Sequence, residues 1–302
     1  MKKTFDFIGK FKYFLFASLA VMLIGLVVNI VFGTRMDVAF KGGTVIRYSY
    51  ETAPDVAKVT SVAKEALGAE ANVALDEINS TQVVSVTLPG KVTTEQKQTF
   101  ADTLEKEFKD CKLVLFSSNT LSASMGSRFF LRCLFAVALA AVLLLVYVGL
   151  RFKRIGGFSA GLAALIALLH DLLIVYFAFV IFRIDLNENF VAVMLTILGY
   201  SLNDTIVIFD RIRSNRRKSD APLEEIVNLS LNQCLRRTVV TSLTTCVAIA
   251  CVLGVALVMR VDSIISFALP MLLGSISGCY SSICLSGPIW VRWLNRQKKT
   301  AA

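Results

Sequence analysis

Apolar residues come along this chain in long unbroken runs, and between the first two runs they alternate with polar ones instead. Runs near 13–33, 130–150, 158–182, 189–210, 238–259 and 264–290 each hold about 20 residues, enough to cross about 30 Å of hydrocarbon as a helix. They predict six transmembrane helices. The first follows MKKTFDFIGKFK, a basic start like that of a signal peptide. Its apolar run is too long for a cleaved leader and no small-x-small site is evident, so it reads as a retained signal anchor.

The interval 34–129 has a different texture. VIRYSY (45–50), NVALDEI (72–78) and QVVSVTL (82–88) read as strands, the last two joined by an Asn79–Ser80 turn, and CKLVLFS (111–117) as a fourth. TAPDVAKVTSVAKEALG (52–68) is expected to be a helix with Pro54 in its first turn. TTEQKQTFADTLEKEF (93–108) is expected to be another, with Phe100, Leu104 and Phe108 on one face. The order βαββαβ is that of a ferredoxin-like split unit. The expected fold is therefore an α-helical polytopic membrane protein of six helices, plus an α+β ferredoxin-like domain between the first and second.

Composition agrees: 55% of the 302 residues are hydrophobic and the mean hydropathy is +0.66, far above an ordinary soluble domain. The net charge of +10 raises the question of nucleic acid, but its distribution answers it. Lys2, Lys3, Lys10 and Lys12 precede the first span; Arg151, Lys153 and Arg154 lie between the second and third. Arg211, Arg213, Arg216, Arg217, Lys218, Arg236 and Arg237 fall between the fourth and fifth; Arg292, Arg296, Lys298 and Lys299 close the chain. The two other short loops hold only Arg183 and Arg260. The positive-inside rule then puts both termini in the cytoplasm and 34–129 outside, in an inner-membrane protein. The expected division is 1–33 (cytoplasmic N-terminus and first span), 34–129 (outer domain), 130–290 (bundle with a cytoplasmic loop 211–237) and 291–302 (tail). Within that loop, 220–235 reads as a separate amphipathic helix on the cytoplasmic face. Seven cysteines form no CxxC pair and there is one histidine, so no disulfide framework or zinc site is expected. Without GxxxxGK[ST] or GxGxxG nothing points to ATP, a dinucleotide or any other cofactor, and no constellation points to an enzyme.

Charges inside spans carry the functional signal, because a carboxylate in hydrocarbon costs about 2.5–3.5 kcal/mol on insertion scales. The fourth span ends GYSLNDTIVIFDRIR (199–213). Asp204 lies about 6 Å to the cytoplasmic side of its middle. Tyr200 and Ser201 stand at i−4 and i−3, with Asn203 adjacent, and both hydroxyls are expected to donate to the carboxylate. The fifth span opens RRTVVTSLTT, where Arg237, Thr241 and Thr244 follow helical spacing and suit a bundle interior. The third span carries His170 and Asp171 near its centre. These residues are candidates for a proton relay, against plainer roles: packing glue for Asp204, a positive-inside anchor for Arg237, a structural pair for His170 and Asp171. Gly157–Gly161 and Gly274–Gly278 are expected helix contacts.

GYSLNDTIVIFDRIR followed by LRRTVVTSLTT, with FKGGT (40–44) after the first span and HDLL in the third, resembles the SecF family of protein-export membrane subunits over nearly the whole chain. The resemblance implies pairing with a SecD-like subunit into a unit like the resistance-nodulation-division transporters. That unit assists the Sec translocon channel and uses the proton-motive force to draw an unfolded preprotein outward, its outer domains contacting the emerging chain. By motif position Asp204 and Arg237 match the family's proton-path pair, and Gly42 and Gly43 its glycine pair at the membrane–domain junction. Ala39 stands where the family usually has aspartate, in AFKGG. The partners implied are a SecD-like subunit, the translocon channel, preprotein and membrane lipid, with no nucleic acid. The alternatives are half of a small-molecule or lipid exporter and a purely structural stabiliser of the translocon.

Overall fold

The computed structural model describes residues 5–68, 71–78, 81–121, 123–153, 156–259 and 261–300. Lys2, Lys3, Arg154 and Arg260 of the charge pattern, and the Asn79–Ser80 turn, lie outside the described residues, as do the side chains of Ala39, Lys298 and Lys299. The chain enters through α1 (Phe11–Phe32) and a short α2 (Val38–Lys41). It then forms β1 (Gly43–Ser49), α3 (Val56–Leu67), β2 (Asn72–Ile78), β3 (Thr81–Leu88), α4 (Thr94–Glu107) and β4 (Val114–Leu121). Long helices follow: α5 (Ala123–Arg151), α6 (Gly157–Ile181), α7 (Glu188–Arg216), α8 (Leu223–Met259) and α9 (Asp262–Ser281). A π-helical turn (Ser282–Ser286) joins α9 to α10 (Gly287–Thr300). Among the described residues six helical stretches are long and apolar enough to cross a membrane; the sixth runs from Asp262 to Gln297 through that turn.

The four strands form one antiparallel sheet in the order β2-β3-β1-β4. Alternation decides its face: Ile46 and Tyr48 of β1 stand opposite Val86 and Val84 of β3, and all four are buried against α3 and α4 with Val59, Phe100 and Leu104. Thr93 caps α4 by a reciprocal pair with Gln96, accepting from its N–H at 3.3 Å and donating its own N–H at 3.0 Å. The last strand begins three residues later than 111–117 predicts. A 3₁₀ turn over Lys109–Cys111 and a left-handed Lys112 (φ 49°) intervene before the chain extends. Strand β4 is an edge, with Val114, Leu115 and Phe116 exposed.

In the bundle, α6 is the central helix and α7 and α9 flank it, while α1, α5 and α8 keep broad apolar faces exposed, as lipid contact requires. Small residues make the close approaches. A Cβ on Gly274 of α9 would come within 2.8 Å of Ile197 on α7 and Val175 on α6, and one on Gly278 within 3.0 Å of Ser201. Gly161 of α6 similarly faces Leu145 of α5.

Helix α8 differs from expectation. The stretch 220–235 is not a separate surface helix: from Leu223 onward it is the first part of one 37-residue helix. Pro222 stands just before its first residue, where a missing N–H costs nothing, and no glycine or proline follows until Gly254. Its amphipathic face is real but is used for packing: Ile226, Val227, Leu231 and Cys234 are buried beside Ile212 and Val291. Asn228 and Asn232 on the same helix accept from the backbone N–H groups of Phe7 and Phe5, both at 2.9 Å.

Substituting leucine for Gly274 is expected to force α9 away from α6 and α7 at a cost of about 1–3 kcal/mol; thermal unfolding of the detergent-solubilised protein measures it, and an unchanged midpoint contradicts the packing. In the sheet, burial pushes the Tyr48 phenol from 10.0 up to about 12. The folded state therefore holds that proton more tightly than the unfolded one, and stability falls as pH rises from about 10 to about 12. The alkaline absorbance difference between the protein and Tyr48→Phe is expected to appear only toward the upper end of that window.

Candidate functional site

Two carboxylates lie deep in the bundle, in different surroundings. Asp171 of α6 is fully buried. Ser201 of α7 and Ser281 of α9 donate to its Oδ2, both at 2.6 Å, and Ser277 of α9 donates to its Oδ1 at 2.6 Å. His170 Nδ1 lies 3.1 Å from the same Oδ1. Three helices thus converge on one carboxylate, which offsets the desolvation that would otherwise expel it. The opposite ring nitrogen, His170 Nε2, is buried without a hydrogen-bond partner. More buried hydroxyls continue the polar file: Ser282 donates to the Ser201 carbonyl and lies 2.9 Å from the Thr205 hydroxyl, and Ser286 donates to the Ser282 carbonyl. These sit in the π-helical turn, a form of helix frequent at functional sites.

Asp204 of α7 is 5% exposed and far less supported. Its one hydrogen bond among the described residues comes from Ser242 of α8, at 3.3 Å. The Arg237 guanidinium of α8 is exposed and makes no ion pair with it, yet lies close enough for its charge to act on the carboxylate.

The hydroxyls expected to hold Asp204 go elsewhere. At 100° per residue, Tyr200 and Ser201 point about 40° to one side and about 60° to the other side of Asp204. Ser201 accordingly binds Asp171. The buried Tyr200 hydroxyl lies near Ser242 and Thr245 of α8, short of good hydrogen-bond geometry with either. Asn203 is exposed. On α8, Thr241 and Thr244 share the exposed face of Arg237, and Thr244 returns its proton to the carbonyls of Val240 and Thr241. The face turned to α7 carries Thr238 and Ser242, about 100–140° further round. RRTVVTSLTT carries hydroxyls on both sides, so spacing alone does not select the inward one.

At the junction with the sheet domain, Gly42 and Gly43 have φ of +80° and +152°, conformations that a side chain strains. Gly42 ends α2, its N–H reaching the Val38 carbonyl at 2.8 Å, and Gly126 of α5 packs directly against this backbone. Nearby, Asn72 of β2 donates to Asp185 in the α6–α7 loop at 3.2 Å. Burial and then Asp37 hold the Asp185 carboxyl above the usual range, against the pull of Arg35, Lys41 and Arg183.

The serines of α9 were the residues sequence reasoning passed over. GSISGCYSSICLS (274–286) has five serines in an apolar run, a density that marks a buried polar seam.

A family model described as protein export membrane protein SecD/SecF, C-terminal, matches residues 100–296. The protein translocase subunit SecF of Petrotoga mobilis is 33% identical over 98% of both chains. That of Alicyclobacillus acidocaldarius is 34% identical over all of this chain and 96% of its own. The SecDF subunit of Bacillus subtilis is 31% identical over 98% of this chain, which spans 39% of that longer protein. Among solved structures, the translocon-associated membrane protein SecDF of Thermus thermophilus superposes with a TM-score of 0.80 at 30% identity. That match covers 97% of this chain and 39% of the SecDF chain. A SecDF in super-membrane-facing form gives 0.70 at the same identity, over 100% and 40%. With six apolar helices, a polar seam through them and near-complete coverage of its SecF relatives, this chain is a multi-pass membrane protein of the SecD/SecF protein-export family.

Proposed function

We propose that the chain is a non-enzymatic accessory subunit of the Sec export machinery that pairs with a SecD-like subunit and uses the proton-motive force to promote preprotein movement across the cytoplasmic membrane. The observation that carries this reading is the state of Asp204: buried, held by one hydroxyl at 3.3 Å, and beside a guanidinium it does not touch. A carboxylate so lightly supported is one whose environment changes with protonation and with a small movement of α8. Asp204 and Arg237 form the centre of the relay, with His170 and Asp171 as its second polar centre. Tyr200, Ser201, Asn203, Thr241 and Thr244 are the hydroxyl and amide groups along the path.

Both termini lie in the cytoplasm in this reading, following the basic loops. The antiparallel sheet with its two helices is a ferredoxin-like domain on the outer side, where it meets preprotein, and Gly42 and Gly43 form its joint with the membrane. The SecD-like partner covers two surfaces of the isolated chain. One is the face of α8 bearing Arg237, Thr241 and Thr244, too polar for lipid; the other is the free edge of β4 with Leu115 and Phe116, which a partner's strand completes.

Asp204→Asn is expected to abolish the gradient-dependent increment of preprotein transport in membrane vesicles while leaving insertion and complex assembly intact. Undiminished transport would favour the stabiliser reading instead. A photo-crosslinking residue at Thr244 or Phe116 is expected to capture the SecD-like subunit; capture at Phe158, which is exposed on α6, serves as the control and is expected to give lipid only. Equal capture of the subunit from all three positions removes the assignment of these faces.

A further inference from the structure

In the polar centre around Asp171, one buried nitrogen has no hydrogen-bond partner among the described residues. An ionised carboxylate offers about four lone-pair positions. At Asp171 each oxygen receives two partners: Ser277 and His170 at Oδ1, Ser201 and Ser281 at Oδ2. Three are serine hydroxyls at 2.6 Å, the short distances of charge-assisted bonds. A proton arriving at Asp171 would have to displace one of these donors. Both oxygens of this carboxylate are thus fully engaged by neighbouring groups.

His170 is the reverse case. Its Nδ1 faces that carboxylate at 3.1 Å, while its Nε2 is buried with no hydrogen-bond partner among the described residues. A histidine that serves only packing finds partners for both nitrogens when buried, because an unpaired polar atom away from water costs about 1–3 kcal/mol. With Nδ1 holding its hydrogen toward the carboxylate, Nε2 presents a bare lone pair. This is the arrangement in which an aspartate sets the tautomer and orientation of an imidazole and steadies the imidazolium that forms on proton uptake.

We infer that Nε2 of His170 is a proton-binding site inside the bundle, separate from Asp204, with the Asp171 carboxylate as its counter-charge. The separation is visible in the bonding: Asp204 takes its hydrogen bond from α8, Asp171 from α7 and α9, and they share no donor. The titratable groups facing the ring among the described residues are few. On its own helix there is Asp171. From α9 come Tyr280, with ring centres 6.1 Å apart, and the Ser277 hydroxyl. From α7 comes Ser201, bound to Asp171. Helix α1 closes this corner with neutral groups, the Phe14 carbonyl and the Ser18 hydroxyl, which hold the Tyr280 hydroxyl at 2.6 and 3.1 Å. The step is simple in its balance: the Nε2 lone pair takes one proton, the ring gains one positive charge, and Asp171 keeps its own. The use of that proton rests on the gradient-coupling reading above; the binding chemistry does not.

The chain has a single histidine, so the test has one signal. The full-length protein, purified without a histidine tag and placed in lipid nanodiscs, is labelled with ¹⁵N-histidine and followed by NMR from about pH 9 down to about pH 5. The expected result is a bare Nε2 beside a protonated Nδ1 at the upper end, converting reversibly to a ring protonated on both nitrogens. A ring that keeps one form throughout overturns the inference. Asp204→Asn is expected to leave this conversion in place; its loss in that variant overturns the separation of the two sites. In transport, His170→Gln is expected to lose the gradient-dependent increment, and its full retention overturns the functional part. If Asp204→Asn leaves transport unchanged while the imidazole still titrates, the gradient reading fails alone. If Asp204→Asn stops transport and the imidazole is inert, the inference fails alone.

Discussion

Everything in the bundle is arranged around a fully buried carboxylate, Asp171. Asp171 stays buried only because α7 and α9 each bring hydroxyls to it, and they reach it only because the helices pack at glycine distance. Gly274 and Gly278 let α9 lie directly on α7, and the same helix then presents Ser277 and Ser281. Removing the close approach would lengthen bonds that now stand at 2.6 Å and leave a charge exposed to hydrocarbon. Packing and polar chemistry are therefore one constraint: the small residues are where they are because the hydroxyls must arrive.

That constraint draws three of the helices to one centre and leaves the second carboxylate outside it. Helices α6, α7 and α9 share the Asp171 centre and bury most of the core. Helix α8 packs closely on α9 and α7 but reaches Asp204 through the Ser242 hydroxyl, and beside it, among the described residues, the Tyr200 and Thr238 hydroxyls are buried without hydrogen-bond partners. The exposed stripe of Arg237, Thr241 and Thr244 lies on the same helix.

The hydrophobic runs make the six spans legible, since run length against bilayer thickness is a strong signal, and alternation marks the order of strands and helices in 34–129. Ionisable residues inside runs make Asp204, His170 and Asp171 legible as a group. What spacing could not provide was direction. Ser201 is three residues from Asp204 and turns to another helix; Thr241 is on the same turn as Ser242 and faces away. A helix of one composition on all sides gives no phase, and rotation about the axis is decided by tertiary packing. The join between 220–235 and the fifth span was likewise hidden, because a charged helical stretch reads as a surface element until a partner for its apolar side is seen. The serine seam of α9 was masked by a mean hydropathy that five small hydroxyls barely lower.

Helix α8 has a mechanical consequence. At 37 residues it is about 55 Å long, against about 30 Å of hydrocarbon, so roughly 25 Å of it stands clear of the bilayer. A tilt of about 10° around the membrane boundary would sweep its far end through about 4 Å, a displacement that follows from helix length alone. The segment bearing Phe5 and Phe7 is fastened to that projecting part by Asn228 and Asn232 and leads straight into α1. Any lean of α8 would therefore be largest at the end that holds the segment before α1, as a pointer magnifies the motion of its pivot.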